Sequence, residues 1–113
     1  MATTDDFDVR SELLPGGAAL TRVSGELDLA TASKLEDALA ELAPSADPVV
    51  VDLSECTFLD SAGMRALLAA ARELRGDERS LRVVTADSRI LRIFEITAVD
   101  TLITVHPTVE SAL

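Results

Sequence analysis

The sequence predicts an α/β domain, with a four- or five-stranded mixed sheet, an antiparallel N-terminal hairpin and helices packed mainly on one face. Three observations predict it. Two short apolar segments flank Pro15-Gly16-Gly17, a strong turn signal that makes them a hairpin. Beyond Thr31, stretches whose apolar residues recur every three or four positions alternate with short β-branched runs. Strand–helix–strand units generate parallel neighbours, so the hairpin adds an antiparallel edge to an otherwise parallel sheet. The 113 residues are expected to fold as one unit over residues 1–113, long enough to close one core and too short for a second.

Each element has its own signal. Asp8 to Leu14 and Ala19 to Ser24 are the hairpin strands; in the second, Thr21 and Val23 fall on one face and Leu20 and Arg22 on the other, so alternation does not choose a buried side. From Thr31, Leu35, Ala38, Leu39 and Leu42 form one apolar helical face, and Pro44 and Pro48 close that helix and open the next strand. Val49, Val50 and Val51 suit a buried strand, and Cys56 and Thr57 are expected on the loop that follows it. Met64, Leu67, Leu68, Ala71 and Leu74 recur at helical spacing, with Gly76 as the stop. Leu81 to Thr85 is a further strand, Ser88 is expected to cap a helix carrying Ile90, Leu91 and Phe94, Leu102 to Val105 is a last strand, and Thr108 opens one more helical turn. Met1 to Asp6 are expected to be a mobile tail.

Charge narrows the partners. Residues 1 to 60 hold thirteen Asp or Glu against three Lys or Arg, while residues 61 to 113 hold seven of each, so the whole net charge of −10 sits in the first part. Such a surface repels a nucleic-acid backbone and an anionic membrane, which leaves a protein as the expected partner. Most of these acidic residues need do no more than keep a small domain soluble. The most apolar stretches, such as Ala66 to Ala71, fall far short of the roughly 18 residues of a membrane span, and the start MATTDDFD is acidic with no apolar leader core. With one cysteine, Cys56, no internal disulfide can form, so a cytoplasmic location is expected.

The most informative stretch is PVVVDLSECTFLDSAGMRALL, Pro48 to Leu68, where an apolar run, a hydroxyl-bearing turn and an amphipathic helix meet at Asp60-Ser61. Asp60 and Ser61 are both good N-cap residues, so one of them should accept a free backbone N–H at the helix start while the Ser61 hydroxyl stays near solvent. Unpaired N–H groups and the positive end of the helix dipole make such a terminus hospitable to a phosphate. From the residues alone Ser61 reads first as a helix cap, since caps are common and modified serines rare; only a wider resemblance makes it a modification site. The segment LDSAGMRALLAA resembles the signature of STAS domains, specifically the small bacterial anti-sigma factor antagonists, in which D-S-[small]-G-[aliphatic] opens the second helix. Upstream, VSGELDLATASKLEDAL resembles the family's G-E-[apolar]-D stretch and first helix, and downstream SRILRIFEITAVDTLITVHPTVESAL resembles its closing helix, strand and terminal helix.

That resemblance implies a cycle. An unmodified antagonist captures an anti-sigma factor that is also a serine kinase and so frees a sigma factor; the kinase phosphorylates the motif serine and releases itself, and a serine phosphatase resets the system. Ser61 stands at the serine's position, with Asp28, Asp60, Ala62, Gly63 and Arg65 as the partner-binding residues beside it. Asp28 follows Gly25-Glu26-Leu27 and reads either as a contact for a basic residue of the kinase or as a cap before the Thr31 helix. Gly63 reads either as room for close approach of the partner or as relief at a tight helix start. Arg65 lies one turn after Ser61, within reach of a phosphate, and Arg72 shares its outward face. Ala62 stands where many relatives carry a second hydroxyl, and Met64 replaces an aliphatic residue nearly at constant volume. The same resemblance covers another role, an unphosphorylated STAS subunit of a lipid-transport or signalling assembly.

An enzyme fits poorly. A serine nucleophile needs a base in reach, yet the one histidine is His106 near the chain end, and no G-x-S-x-G elbow surrounds Ser61. One Cys and one His supply no spaced metal-ligand set, and no glycine-rich phosphate loop is present, so neither metal nor cofactor is expected. Cys56 has no cationic neighbour in sequence to activate it and reads as a small buried residue.

Overall fold

The computed structural model describes residues 7–97 and 102–113; the expectation of a mobile tail at Met1 to Asp6 lies outside them. Its elements run β1 (Asp8–Leu13), β2 (Ala19–Leu27), α1 (Ala32–Ala40), β3 (Val49–Leu59), α2 (Ser61–Gly76), β4 (Leu81–Val84), α3 (Ser88–Thr97), β5 (Ile103–His106) and α4 (Val109–Ala112). The strands form one sheet in the order β1-β2-β3-β4-β5, with β1 antiparallel to β2 and the other neighbours parallel. Gly16 and Gly17 both take positive φ in the hairpin turn, a conformation that glycine adopts without a Cβ clash.

Parallel crossovers that always step in the same direction and keep the same hand place their helices on one face of the sheet. Here α1, α2 and α3 share that face. Val49, Val51 and Leu53 of β3, with Val23 and Leu27 of β2, meet Leu35 of α1, Met64 and Leu67 of α2, and Ile90 and Phe94 of α3 in one continuous core. The opposite face carries a smaller cluster of Leu20, Val50 and Val84 beneath Ala112 and Val109 of α4. Both faces of β2 are therefore partly buried: Thr21 and Val23 face one way and Leu20 the other, while Arg22 stays exposed. Thr108 and Ser111 close α4 with a reciprocal cap, and the Arg82 guanidinium donates to the carbonyls of Ala112 and Leu113, which pins that short helix to the sheet.

Several details differ from the sequence reading, beginning with β2, which runs on past Ser24 to Leu27. Strand β3 runs on to Leu59, so Cys56 and Thr57 belong to it and not to a loop. The register against β2 slips twice, between Arg22 and Ser24 and between Gly25 and Glu26, and β3 holds an extra residue each time. Each bulge advances the inward phase by one, so Leu53, Cys56 and Leu59 point into the core at a spacing of three and no alternation shows. Helix α2 ends at Gly76 as expected, and beyond it Glu78 takes the left-handed φ of 60°. The N–H of Arg79 returns to the Leu74 carbonyl and that of Glu78 to the Arg75 carbonyl, the two bonds of a Schellman motif. Ser88 is the first helical residue of α3, and the side chain that meets its free N–H groups is Asp87, which accepts from Arg89 N at 2.8 Å.

Candidate functional site

The parallel strands β2, β3 and β4 end at one edge of the sheet, and an aspartate follows at each exit. Asp28 follows β2, Asp60 follows β3, and Asp87 lies in the turn after β4. Each carboxylate caps the chain that leaves the sheet. Asp28 Oδ1 accepts from Ala30 N at 3.0 Å and Thr31 N at 3.2 Å, and the Thr31 hydroxyl donates to the Glu26 carbonyl at 2.7 Å. Asp60 is the N-cap of α2, its Oδ1 accepting from Gly63 N at 2.9 Å. Hydrogen bonds from the Arg89 side chain and backbone hold the Asp87 carboxyl below its ordinary range.

Asp60 thus takes the capping role, and Ser61 is left free of it. Ser61 is the first residue of α2 and is exposed; its hydroxyl bonds to none of the described residues. With Gly63 N held by the Asp60 side chain and Met64 N by the Asp60 carbonyl, no hydrogen bond among the described residues uses the N–H of Ser61 or Ala62. Two orphan donors and the positive end of a 16-residue helix therefore surround an exposed hydroxyl.

Ala62 and Gly63 lie on the inner side of that turn and are buried. A Cβ on Gly63 would stand 2.7 Å from the Leu27 carbonyl oxygen and 2.7 Å from Leu59 Cδ1, closer than real Cβ atoms come. The close approach that Gly63 permits is to the chain's own β2, which fits its reading as relief at a tight helix start. That contact, with Asp60 N donating to the same Leu27 carbonyl at 3.3 Å, sets the Asp28 loop beside the start of α2. Arg65 and Arg72 are exposed on α2, and neither forms a salt bridge among the described residues.

Two side chains at this edge escape the sequence reading. Leu29, next to Asp28, is 77% exposed, and Phe58, two residues before Asp60, is 48% exposed. Leu29 is a large apolar residue inside a turn, which is a visible signal; Phe58 points outward only because of the second β3 bulge, which is not. Cys56 is buried in the core, its thiol donating to the Phe58 carbonyl, and burial pushes its pKa up, so it behaves as a small core residue. His106 ends β5, two strands from β3, where its Nε2 lies 2.9 Å from the Thr104 hydroxyl. Among the described residues no cluster of His, Cys, Asp or Glu is arranged to hold a metal, and no helix is long and apolar enough to cross a membrane.

Comparisons with known proteins agree with this geometry. Residues 14–104 match the family model described as "Mlab, STAS domain". The chain is 35% identical over 98 residues to the anti-sigma-F factor antagonist RsfB of Mycobacterium tuberculosis, covering 86% of this chain and 80% of that one. It is 34% identical over 83 residues to the anti-sigma-B factor antagonist of Listeria monocytogenes, covering 72% of each. Among solved structures, an anti-sigma factor antagonist from Mycobacterium paratuberculosis superposes with a TM-score of 0.86 at 33% identity, over 99% of this chain and 95% of that one.

Proposed function

The chain belongs to the STAS domain family, and from that premise we propose that it is an anti-sigma factor antagonist, switched off by phosphorylation of Ser61. It is a binding protein and not an enzyme. Its partner is a kinase-type anti-sigma factor, its setting the cytoplasm, and a serine phosphatase restores it. The observation that carries this reading is the exposed, unbonded Ser61 hydroxyl at the start of α2, in a turn where Asp60 already serves as cap. A serine kept only to cap a helix would occupy the position that Asp60 fills.

The rest of the edge supports a protein docking over that hydroxyl. Leu29 and Phe58 supply exposed apolar area, the component that makes the centre of a protein interface. Asp28 and Asp60 add charge for a basic residue of the kinase, and Arg65 projects from the next turn of α2. Ala62 and Gly63 contribute by fixing the turn from inside. In the kinase complex the γ-phosphoryl of ATP passes to Ser61 Oγ, ADP departs, and the hydroxyl proton goes to a base on the kinase. The product carries a charge of about −1.5 to −2 at the edge. In the free domain, attraction to the helix terminus of about 0.3–1 kcal/mol offsets repulsion from Asp60, so folding changes little. In the complex the phosphate must be desolvated, and a penalty of several kcal/mol corresponds to a hundredfold or greater loss of affinity.

Intact-mass spectrometry after incubation with ATP and each kinase-type anti-sigma factor of the host tests the reading. One added phosphate that is absent from Ser61→Ala is the expected result. Tight binding to another protein with no phosphate gained from any kinase would instead make the domain an unphosphorylated interaction subunit.

A further inference from the structure

Further along α2 from Ser61, α1 and α2 leave a groove of about 450 Å³ between them. Its floor is apolar, formed by the half-buried Leu39, Leu42 and Leu74 over Val49 and Ala66. Its walls are low, because Ala40, Ala69 and Ala70 stand where longer side chains would fill it, so a third helix can approach these two closely. Its rim is acidic. Glu36 and Asp37 of α1, Glu73 of α2 and Asp77 just after it are all exposed, and none forms an ion pair among the described residues. The cation on the lining, Arg79, is engaged elsewhere: its guanidinium donates to the Ala46 carbonyl at 2.7 Å and the Ala43 carbonyl at 3.1 Å.

We propose that this groove receives a basic amphipathic helix of a protein partner. Charge complementarity selects that occupant. A second copy of the chain would bring a net charge of −10 against four unpaired carboxylates, and anionic lipid or nucleic acid would be repelled in the same way. A helix with an apolar stripe flanked by Lys or Arg seats the stripe on the leucine floor and sets its cations against both rims, the helix-in-groove mode of recognition. The residues involved on α2, with Asp77 at its C-terminal end, lie beyond the Ser61 turn, so this second surface does not depend on phosphorylation.

A labelled amphipathic peptide of leucine and lysine, about five helical turns long, is the probe, with a glutamate-for-lysine version as control. Fluorescence anisotropy and amide NMR shifts are read on the full chain. The lysine peptide is expected to bind saturably, with shifts centred on α1 and α2, while the glutamate peptide does not bind. Reversing the rim with Glu73→Lys and Asp77→Lys should weaken binding about tenfold or more. Placing bulk in the groove with Ala69→Trp, at an exposed position that leaves the core untouched, should do the same. Absence of binding, shifts centred away from the groove, or affinity indifferent to Ala69→Trp would overturn the proposal, as would a dimer in sedimentation that buries this face.

Discussion

At the scale of the residue, the site depends on a division of labour between neighbours. Asp60 caps α2, Ser61 is left with a free hydroxyl, and Gly63 lets the turn sit against β2. Gly63→Ala is expected to cost about 1–3 kcal/mol, because the added methyl meets a backbone carbonyl that cannot swing aside. Denaturant unfolding measures this, and stability within about 0.5 kcal/mol of the parent would mean that the β2–α2 contact is loose. The sequence discloses the D-S-x-G junction but not who does what within it, since Asp and Ser are equally good caps on propensity and only the geometry assigns the bond to Asp60. The role of Gly63 is still less legible, because its contact, Leu27, lies 36 residues earlier in the chain.

At the scale of the element, α2 is fixed at both ends by different devices. Its C-terminus stops on Glu78 in the left-handed region, which lets Arg79 turn back and bond the carbonyls of Ala43 and Ala46 in the α1–β3 connection. Because a non-glycine residue is strained there, Glu78→Gly should stabilise the domain by about 1 kcal/mol, seen as a rise in thermal midpoint. A fall would show that the Glu78 side chain makes a compensating contact. Helices α1, α2 and α3 were readable because their apolar faces keep a constant period. Strand β3 was readable only at Val49 to Val51; beyond Leu53 the two bulges change the spacing of inward residues from two to three, and a period-two pattern is lost. Gly76 marks the end of α2 correctly, but a glycine near a helix end does not fix which residue adopts positive φ, and here that is Glu78.

At the scale of the whole molecule, the hairpin followed by alternating strands and helices determined the mixed sheet, and the order of the strands brings the Asp28, Ser61 and Asp87 turns to one edge. That edge joins exposed apolar area to a modifiable hydroxyl, and the strongly negative half of the sequence contributes Asp28 and Asp60 to it. Leu29→Ser with Phe58→Ser is expected to weaken capture of the anti-sigma factor by tenfold or more at a small cost in thermal stability, since Leu29 is mostly and Phe58 about half exposed. Calorimetric titration and thermal melts of the double variant separate the two effects; unchanged affinity would move the interface away from this edge. The most direct test of the switch is the dissociation constant of the anti-sigma factor for this chain with serine or phosphoserine installed at position 61, measured without ATP. A loss of a hundredfold or more with phosphoserine, at equal thermal stability of the two forms, is the expected result; equal affinities would contradict the assignment of Ser61 as the switch.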